Sequence, residues 1–274
     1  MKRHKICKII FAILAVFLCV AFYELIGICV TYKKQPAVSD ATIKETQNIM
    51  SVAGRENTER AVIIEKNSQA LLERVRLIQN AKDEIILSTF AFKSDESGKL
   101  ILGALHDAAD RGVHVRILVD GMESWIDMEG NPYFYGLSSH ENVEIKLYNK
   151  ANPLKPWKTM GRMHDKYLIA DGKIYILGGR NTYNYFLGDF PGHKNFDRDV
   201  LVVCDEPQKD NSVNQLWNYF ETIWEQEDCR YFHNSKKLAD RQSVKKAVLE
   251  LQEGYQQYFE VNKEKICDTD YADE

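Results

Sequence analysis

The strongest structural signal in the chain lies in residues 163–181, which read Met-His-Asp-Lys-Tyr-Leu-Ile-Ala-Asp-Gly-Lys-Ile-Tyr-Ile-Leu-Gly-Gly-Arg-Asn. Two apolar runs, 167–170 and 174–177, flank the pair Asp171-Gly172. An Asp-Gly pair between apolar runs is typical of a two-residue β-hairpin turn, because both turn positions need a positive φ. The stretch therefore predicts a hairpin of two short strands.

The register of this hairpin brings chemically distinctive residues to one face of the sheet. With a two-residue turn, Ala170 pairs with Lys173, and counting back places Lys166 opposite Leu177. Side chains on a strand alternate between the two faces. One face of the predicted hairpin therefore carries four residues of interest, namely His164, Lys166, Gly179 and Asn181.

These residue types suit the chemistry of a phosphoryl group. A neutral imidazole can attack phosphorus and form a covalent intermediate. A Lys ammonium and an Asn amide can stabilise the charge on phosphoryl oxygens. Glycine lets the backbone approach the group closely because it has no side chain. The face is therefore a candidate phosphate site.

The spacing of these residues resembles the HKD motif of the phospholipase D superfamily. The chain has His-x-Lys, four residues, Asp171, six residues and then Gly-Gly-x-Asn, so every defining position is present. The resemblance implies a phosphodiesterase or phosphatidyltransferase that works through a phosphohistidine. It also implies that the enzyme needs no metal and no other cofactor.

The resemblance assigns a role to each motif residue. The motif His is a nucleophile or general acid, a role that falls to His164. The motif Lys and Asn bind the substrate phosphate, which points to Lys166 and Asn181, and Gly179 gives the phosphate room. Asp171 matches the motif Asp and is a catalytic candidate, although the hairpin makes it a turn-forming residue first.

An acid just before the strand after the motif holds the motif His by a hydrogen bond in this family. Here the sequence Phe-Asp-Arg-Asp at 196–199 precedes an apolar run at 200–204. Asp199 matches the family's acid best, and Asp197 is the alternative. A carboxylate on the far imidazole nitrogen fixes the tautomer and stabilises the imidazolium.

Strand-like and helix-like patterns alternate before the motif. Apolar runs at 84–92 and 114–120 indicate buried strands, and the periodic stretches 68–81 and 98–111 indicate helices. This alternation predicts an α/β domain with a mixed sheet flanked by helices. The run Ala-x-Arg-Gly-Val-x-Val-Arg-Ile-Leu-x-Asp-Gly at 109–121 also resembles cardiolipin synthase-like members of the superfamily.

These features divide the chain into four segments. We predict an N-terminal transmembrane anchor over 1–34, a linker over 35–60, a phospholipase D-like domain with one motif over 61–230, and a charged helical tail over 231–274. The resemblance to the superfamily covers about residues 60–225.

The N-terminal segment has the composition of a membrane span. The run from Ile9 to Val30 is almost wholly apolar, broken by Glu24, and its length suits a bilayer. More basic residues precede the run than follow it closely, which predicts a cytoplasmic N-terminus and an extracytoplasmic catalytic domain. No clean small-residue cleavage site follows, which favours an uncleaved single-pass anchor in the cell membrane over a signal peptide.

The charge distribution bears on the substrate. The chain has a net charge of −4, yet residues 1–34 carry six Lys or Arg and one Glu, so the remainder carries −9. An acidic body is a poor footprint for nucleic acid. The stretch between positions 150 and 181 contains seven basic residues and two acidic ones. Such a local basic patch suits a small anionic headgroup. Phospholipid is the expected substrate; the alternatives are a single-motif nuclease and a non-catalytic, membrane-tethered subunit that binds phosphate or lipid.

The sequence contains one motif where most lipid-acting members of the superfamily carry two. No second His-x-Lys pattern occurs, and the chain resembles the first half of a two-motif enzyme. The family draws the proton for the leaving alkoxide from the second motif's His. The resemblance therefore implies a partner, either a second copy in a homodimer or another HKD-containing chain.

Overall fold

The structure is a computed structural model that describes residues 2–33, 39–41, 43–44, 59–150, 152, 154–204, 211–233, 235–269 and 271. The chain forms two compact units, one comprising Met1–Asn57 with Ala151–Gly161 and the other Thr58–Lys150 with Arg162–Glu274. Most of the predicted linker, 35–60, lies outside the described residues.

The first unit contains a long apolar helix, α1 (Lys2–Lys33), and a short 3-10 helix at Pro156–Met160. Within α1, His4–Val30 has a hydropathy of 2.7 and is long and apolar enough to cross a bilayer. The Tyr23 ring packs edge-on against Trp157 with 4.9 Å between centroids. The apolar N-terminal helix predicted from the sequence is thus present.

Within the described residues, the second unit is built on one eight-stranded mixed sheet. The strands are β1 (Glu59–Ile64), β2 (Glu84–Thr89), β3 (His114–Asp120), β4 (Val143–Tyr148), β5 (Lys166–Ala170), β6 (Ile174–Gly178), β7 (Asp199–Cys204) and β8 (Cys229–Tyr231). Their order in the sheet is β1-β7-β6-β5-β2-β3-β4-β8. Strands β2, β3 and β4 run parallel to one another, and the other neighbouring pairs are antiparallel.

Helices cover both faces of this sheet. Strand β2 shows the result, because Ile85 and Leu87 enter one apolar core while Ile86 enters the other. Burial on both faces requires the near-continuous apolar run that β2 carries. The predicted mixed sheet flanked by helices is confirmed. The helices of this unit are α2 (Asn67–Asn80), α3 (Glu96–Asp110), α4 (Gly121–Asp127), α5 (Pro132–Ser138), α6 (Ser212–Trp224), α7 (Lys236–Ala239) and α8 (Gln242–Cys267).

The segment predicted as a charged tail contributes to the larger core. Helix α8 packs against α2, α3 and α5, and its Val244, Leu251 and Tyr255 side chains are buried. The Asn80 amide at the end of α2 donates to the Ile266 carbonyl near the end of α8 at 2.7 Å. The amphipathic pattern of the tail therefore reflects packing within this unit.

The central hairpin has the predicted turn but a different register. Asp171 and Gly172 adopt φ values of 51° and 61°, as the Asp-Gly pair predicts. Ala170, however, pairs with Ile174, and Tyr167 pairs with Leu177. The predicted pairing of Lys166 with Leu177 was therefore wrong by one residue. The loop holds one residue more than a two-residue turn. The Lys173 amide donates to the Ala170 carbonyl at 3.0 Å, and the Lys173 carbonyl accepts from the Cys204 amide at 2.8 Å.

The Asp171 carboxylate anchors this turn to the start of β2. Oδ1 accepts from the backbone amides of Asp83 at 2.8 Å and Glu84 at 3.0 Å, and Oδ2 accepts from Lys82 at 2.9 Å. The residue lies at the far end of β5 from Lys166. The three amide bonds at the opposite edge of the sheet support the turn-forming role of Asp171, and its catalytic role stays a prediction.

We expect Asp171→Ala to lower the free energy of unfolding by about 1–3 kcal/mol, because three amide donors lose their acceptor. Urea unfolding followed by circular dichroism measures the change. Asp171→Asn is the matched control, since Asn tolerates the positive φ and keeps one acceptor oxygen. An Asp171→Asn variant as stable as the wild type, beside a destabilised Asp171→Ala, would show that the second carboxylate oxygen contributes nothing beyond the turn conformation.

Candidate active site

The motif residues converge at one edge of the sheet. Strand β2 ends there at Thr89, which pairs with Lys166 at the start of β5. Strand β6 ends at Gly178, which pairs with Asp199 at the start of β7. Parallel β2 and β3 point their carboxyl ends to this edge, the usual place for a ligand in an open α/β sheet.

His164 and Lys166 are in direct contact. The Lys166 Nζ lies 3.0 Å from His164 Nδ1 and donates to the His164 carbonyl at 2.7 Å. A protonated Lys can only donate, so Nδ1 accepts and the neutral ring carries its proton on Nε2. Lys166 is 6% exposed, and this burial lowers the pKa of its ammonium, opposed by the charges of Asp165 and Asp197.

Asn181 and Gly179 lie on the segment that leaves β6. The buried Asn181 side chain accepts from the Ala91 amide through Oδ1 at 3.1 Å, which leaves its amide nitrogen as a donor. The Asp197 carboxylate lies in the space beside the Gly179 Cα, and a Cβ at this position would displace it. The structure therefore brings an imidazole, a cation, an amide and a glycine backbone to one edge.

The two candidate acids occupy different environments. Asp199 Oδ2 accepts from Arg74 at 2.9 Å and lies 3.3 Å from Arg180, and within the described residues its Oδ1 has no hydrogen-bond partner. The expected hydrogen bond from Asp199 to His164 is not formed. Asp197 lies against Gly179, and its charge acts on Lys166. The alternative acid, Asp197, is thus the one that faces the motif.

The sequence pattern assigned no individual role to two neighbours of the motif, Phe90 and Arg162, of which Arg162 was placed only in the basic patch. Arg162 donates to both oxygens of Asp120, at 2.9 and 3.0 Å, and to Glu123 at 2.9 Å. Asp120 also caps α4 and accepts from the Met163 amide at 3.1 Å, which fixes the chain just before the motif. The spacing of Arg162 two residues before His164 was the available signal. Phe90, whose ring packs on His164 at 4.6 Å between centroids, gave no signal at all.

Two histidines outside the motif, His106 and His114, have carboxylate partners. His106 contacts Asp110 at 3.0 Å and His114 contacts Glu144 at 3.2 Å. In the described part of the chain, no cluster of three or more His, Cys, Asp or Glu side chains has an arrangement that could hold a metal ion.

Comparison with known proteins places this geometry in a family. The family described as "Cardiolipin synthase, PLD-like domain" matches residues 75–224, more than half of the chain. The chain therefore belongs to the phospholipase D superfamily, a family of phosphodiesterases and phosphatidyltransferases.

Individual relatives agree with this placement. Cardiolipin synthase C of Escherichia coli is 29% identical over 154 residues, which is 51% of this chain and 31% of that protein. Cardiolipin synthase 1 of Staphylococcus aureus is 35% identical over 112 residues, 40% of this chain and 22% of that protein. The chain spans about a third of the length of the first curated relatives it matches.

A solved structure shares the fold. Phosphatidylserine synthase of Haemophilus influenzae superposes with a TM-score of 0.52 at 15% sequence identity. The match covers 80% of this chain and 48% of the synthase. At this identity the likeness concerns the fold alone.

Alanine substitution should lower the stability of the fold at Asp199 but not at Asp197. Asp199→Ala leaves two buried guanidinium groups without their carboxylate and should cost about 3–5 kcal/mol of unfolding free energy. Asp197→Ala removes a half-buried carboxylate and should leave the unfolding midpoint nearly unchanged. Urea unfolding of both variants tests this, and a destabilisation by Asp197→Ala as large as that by Asp199→Ala would contradict the assignment.

Proposed function

We propose that this chain is a membrane-anchored phospholipase D-like enzyme that hydrolyses or transfers the phosphodiester of a phospholipid through a phosphohistidine on His164. The observation that carries the proposal is the 3.0 Å contact between Lys166 Nζ and His164 Nδ1 at the carboxyl edge of the sheet. The Asn181 amide lies at the same edge. The relatives named cardiolipin synthase support phospholipid as the substrate class.

Each motif residue has a defined task in this proposal. A nitrogen lone pair of neutral His164 attacks phosphorus, forming the N–P bond as the bond from phosphorus to the leaving alkoxide breaks. Lys166 and the Asn181 amide hold the phosphoryl oxygens as negative charge develops. Lys166 leaves its contact with the His164 ring when it turns to the phosphate, which frees the imidazole for the reaction.

The leaving alkoxide needs a proton, and a second copy of the chain is the proposed source. Two-fold pairing would place two His164 rings on opposite sides of one phosphate. The second ring would then protonate the alkoxide, and later remove a proton from the water or alcohol that cleaves the N–P bond. A separate HKD-containing chain is the rival partner.

The membrane placement completes the proposal. Helix α1 is the anchor, and the excess of basic residues before it puts the N-terminus in the cytoplasm and the catalytic unit outside. A single-pass anchor keeps the enzyme next to a lipid substrate.

His164→Ala should lower turnover of phosphatidylglycerol or phosphatidylethanolamine in vesicles by on the order of 10³-fold or more, because the nucleophile is lost. His114→Ala is the matched control, since His114 lies at the opposite edge of the sheet. Release or exchange of the headgroup measures turnover, and urea unfolding checks the fold. Unchanged turnover in His164→Ala would exclude the proposal, and cleavage of single-stranded DNA without any lipid turnover would favour a nuclease instead.

Mixing variants tests the homodimer. If each site needs two His164 rings, activity should fall as the square of the wild-type fraction, so equal refolded amounts of wild type and His164→Ala should retain about a quarter of the activity. Mixtures with His114→Ala should show no such loss. A linear fall would mean that each chain works alone, and turnover that appears only with a second HKD-containing chain would identify a heteromeric enzyme.

A further inference from the structure

One aromatic ring touches all three basic side chains at the start of the motif. The Phe90 ring centroid lies 4.6 Å from the His164 ring centroid, 4.9 Å from Arg162 Cζ and 5.4 Å from Lys166 Nζ. These distances are within the range of cation–π attraction, which reaches to about 6 Å. No other aromatic side chain in the described residues makes such a contact with Lys166.

The backbone fixes the ring at this place. Phe90 directly follows Thr89, the last residue of β2, whose strand partner is Lys166. On its other side, the Ala91 amide is held by the Asn181 side chain. The chain before and after Phe90 is therefore tied to two residues of the proposed phosphate site.

The nearby carboxylates are engaged elsewhere. Asp165, between His164 and Lys166 in sequence, accepts from the Tyr219 hydroxyl of α6 at 2.8 Å. Asp197 accepts from the Arg198 amide at 2.7 Å. In the part of the chain that the structure describes, the hydrogen bonds of the Lys166 ammonium go to His164 and not to a carboxylate.

The two cations that contact the Phe90 ring, Arg162 and Lys166, differ in their carboxylate partners. Asp120 and Glu123 neutralise Arg162. Lys166 is buried and has no ion pair of this kind among the described residues. The charges of Asp165 and Asp197 favour its ammonium form, and its close contacts are His164 and the ring face of Phe90. A carboxylate in the place of the ring would cancel the charge and repel a phosphate, whereas an aromatic face attracts the cation and adds no net charge.

We propose that Phe90 is a positioning residue of the site, whose ring face holds the buried Lys166 ammonium beside His164 in place of a carboxylate. The positive charge then stays available to a phosphoryl group. This inference rests on the proposed function for the identity of the ligand, but the contact itself can be tested without turnover.

The experiment replaces Phe90 with phenylalanines carrying one, two and three ring fluorines, which weaken the ring's attraction for a cation while nearly preserving its shape. The full chain in detergent micelles is labelled with ¹³C at lysine Cε, and Lys166→Met assigns the Lys166 resonance. Fluorination should lower the pKa of Lys166 stepwise, by about half a pH unit over the series. The same series at Phe92 is the control, because that ring packs on Phe134 in the core at 5.1 Å between centroids.

A second measurement links the contact to the ligand. Burial already lowers the pKa of Lys166, so affinity for inorganic phosphate should be lost as pH rises through that lowered pKa. Each fluorine at Phe90 should move this loss to lower pH, and Phe90→Tyr should behave as wild type.

The outcomes separate the two proposals. A pKa of Lys166 that stays constant across the Phe90 series, or that moves equally in the Phe92 series, would overturn the positioning role. If the pKa of Lys166 shifts in steps across the Phe90 series but the wild-type chain binds no phosphate, the result would support the role of Phe90 and count against the proposed function.

Discussion

A buried carboxylate shared by two guanidinium groups supports the edge of the sheet on which the motif lies. The Asp199 side chain is inaccessible to solvent and pairs with Arg74 of α2 and with Arg180. Arg180 in turn donates to the Ile64 carbonyl at the end of β1 and to the Asn67 side chain. Burying such charges is expensive, and an apolar cluster of similar volume often stabilises a fold as well or better. The ion cluster fixes the position of Arg180, and the residues on either side of Arg180, Gly179 and Asn181, belong to the motif.

The charges of the site fall into two layers. Below the motif, the single carboxylate of Asp199 lies between two arginines and links them in one buried ion cluster. At the motif, Lys166 makes no salt bridge to a carboxylate among the described residues and instead contacts His164. The lower layer therefore joins parts of the fold that are distant in sequence, and the upper layer carries the motif's own cation. Asp199 belongs to the lower layer, and Asp197, two positions earlier in the sequence, lies beside the motif.

The sequence predicted the fold class, the turn and the motif residues because each depends on local chemistry. The Asp-Gly pair required positive φ, and Asp171 and Gly172 have it. The register differed by one residue, because the Asp-Gly pair specifies the turn conformation but not the loop length, which in the structure includes Lys173. Asp199 pairs with arginines distant in sequence, contacts that no local pattern encodes, and the choice between Asp197 and Asp199 as the catalytic acid stays a prediction.

Strand β5 has a motif residue at one end and the anchored turn at the other. Lys166 begins the strand and Asp171 follows its end, so at strand rise the two are about 16 Å apart. Groups at that distance without shared partners contribute nearly independently to the free energy. A change in the turn should therefore alter the stability of the fold while the motif edge keeps its geometry. The five residues of β5 are thus enough to separate the anchoring of the hairpin from the candidate site.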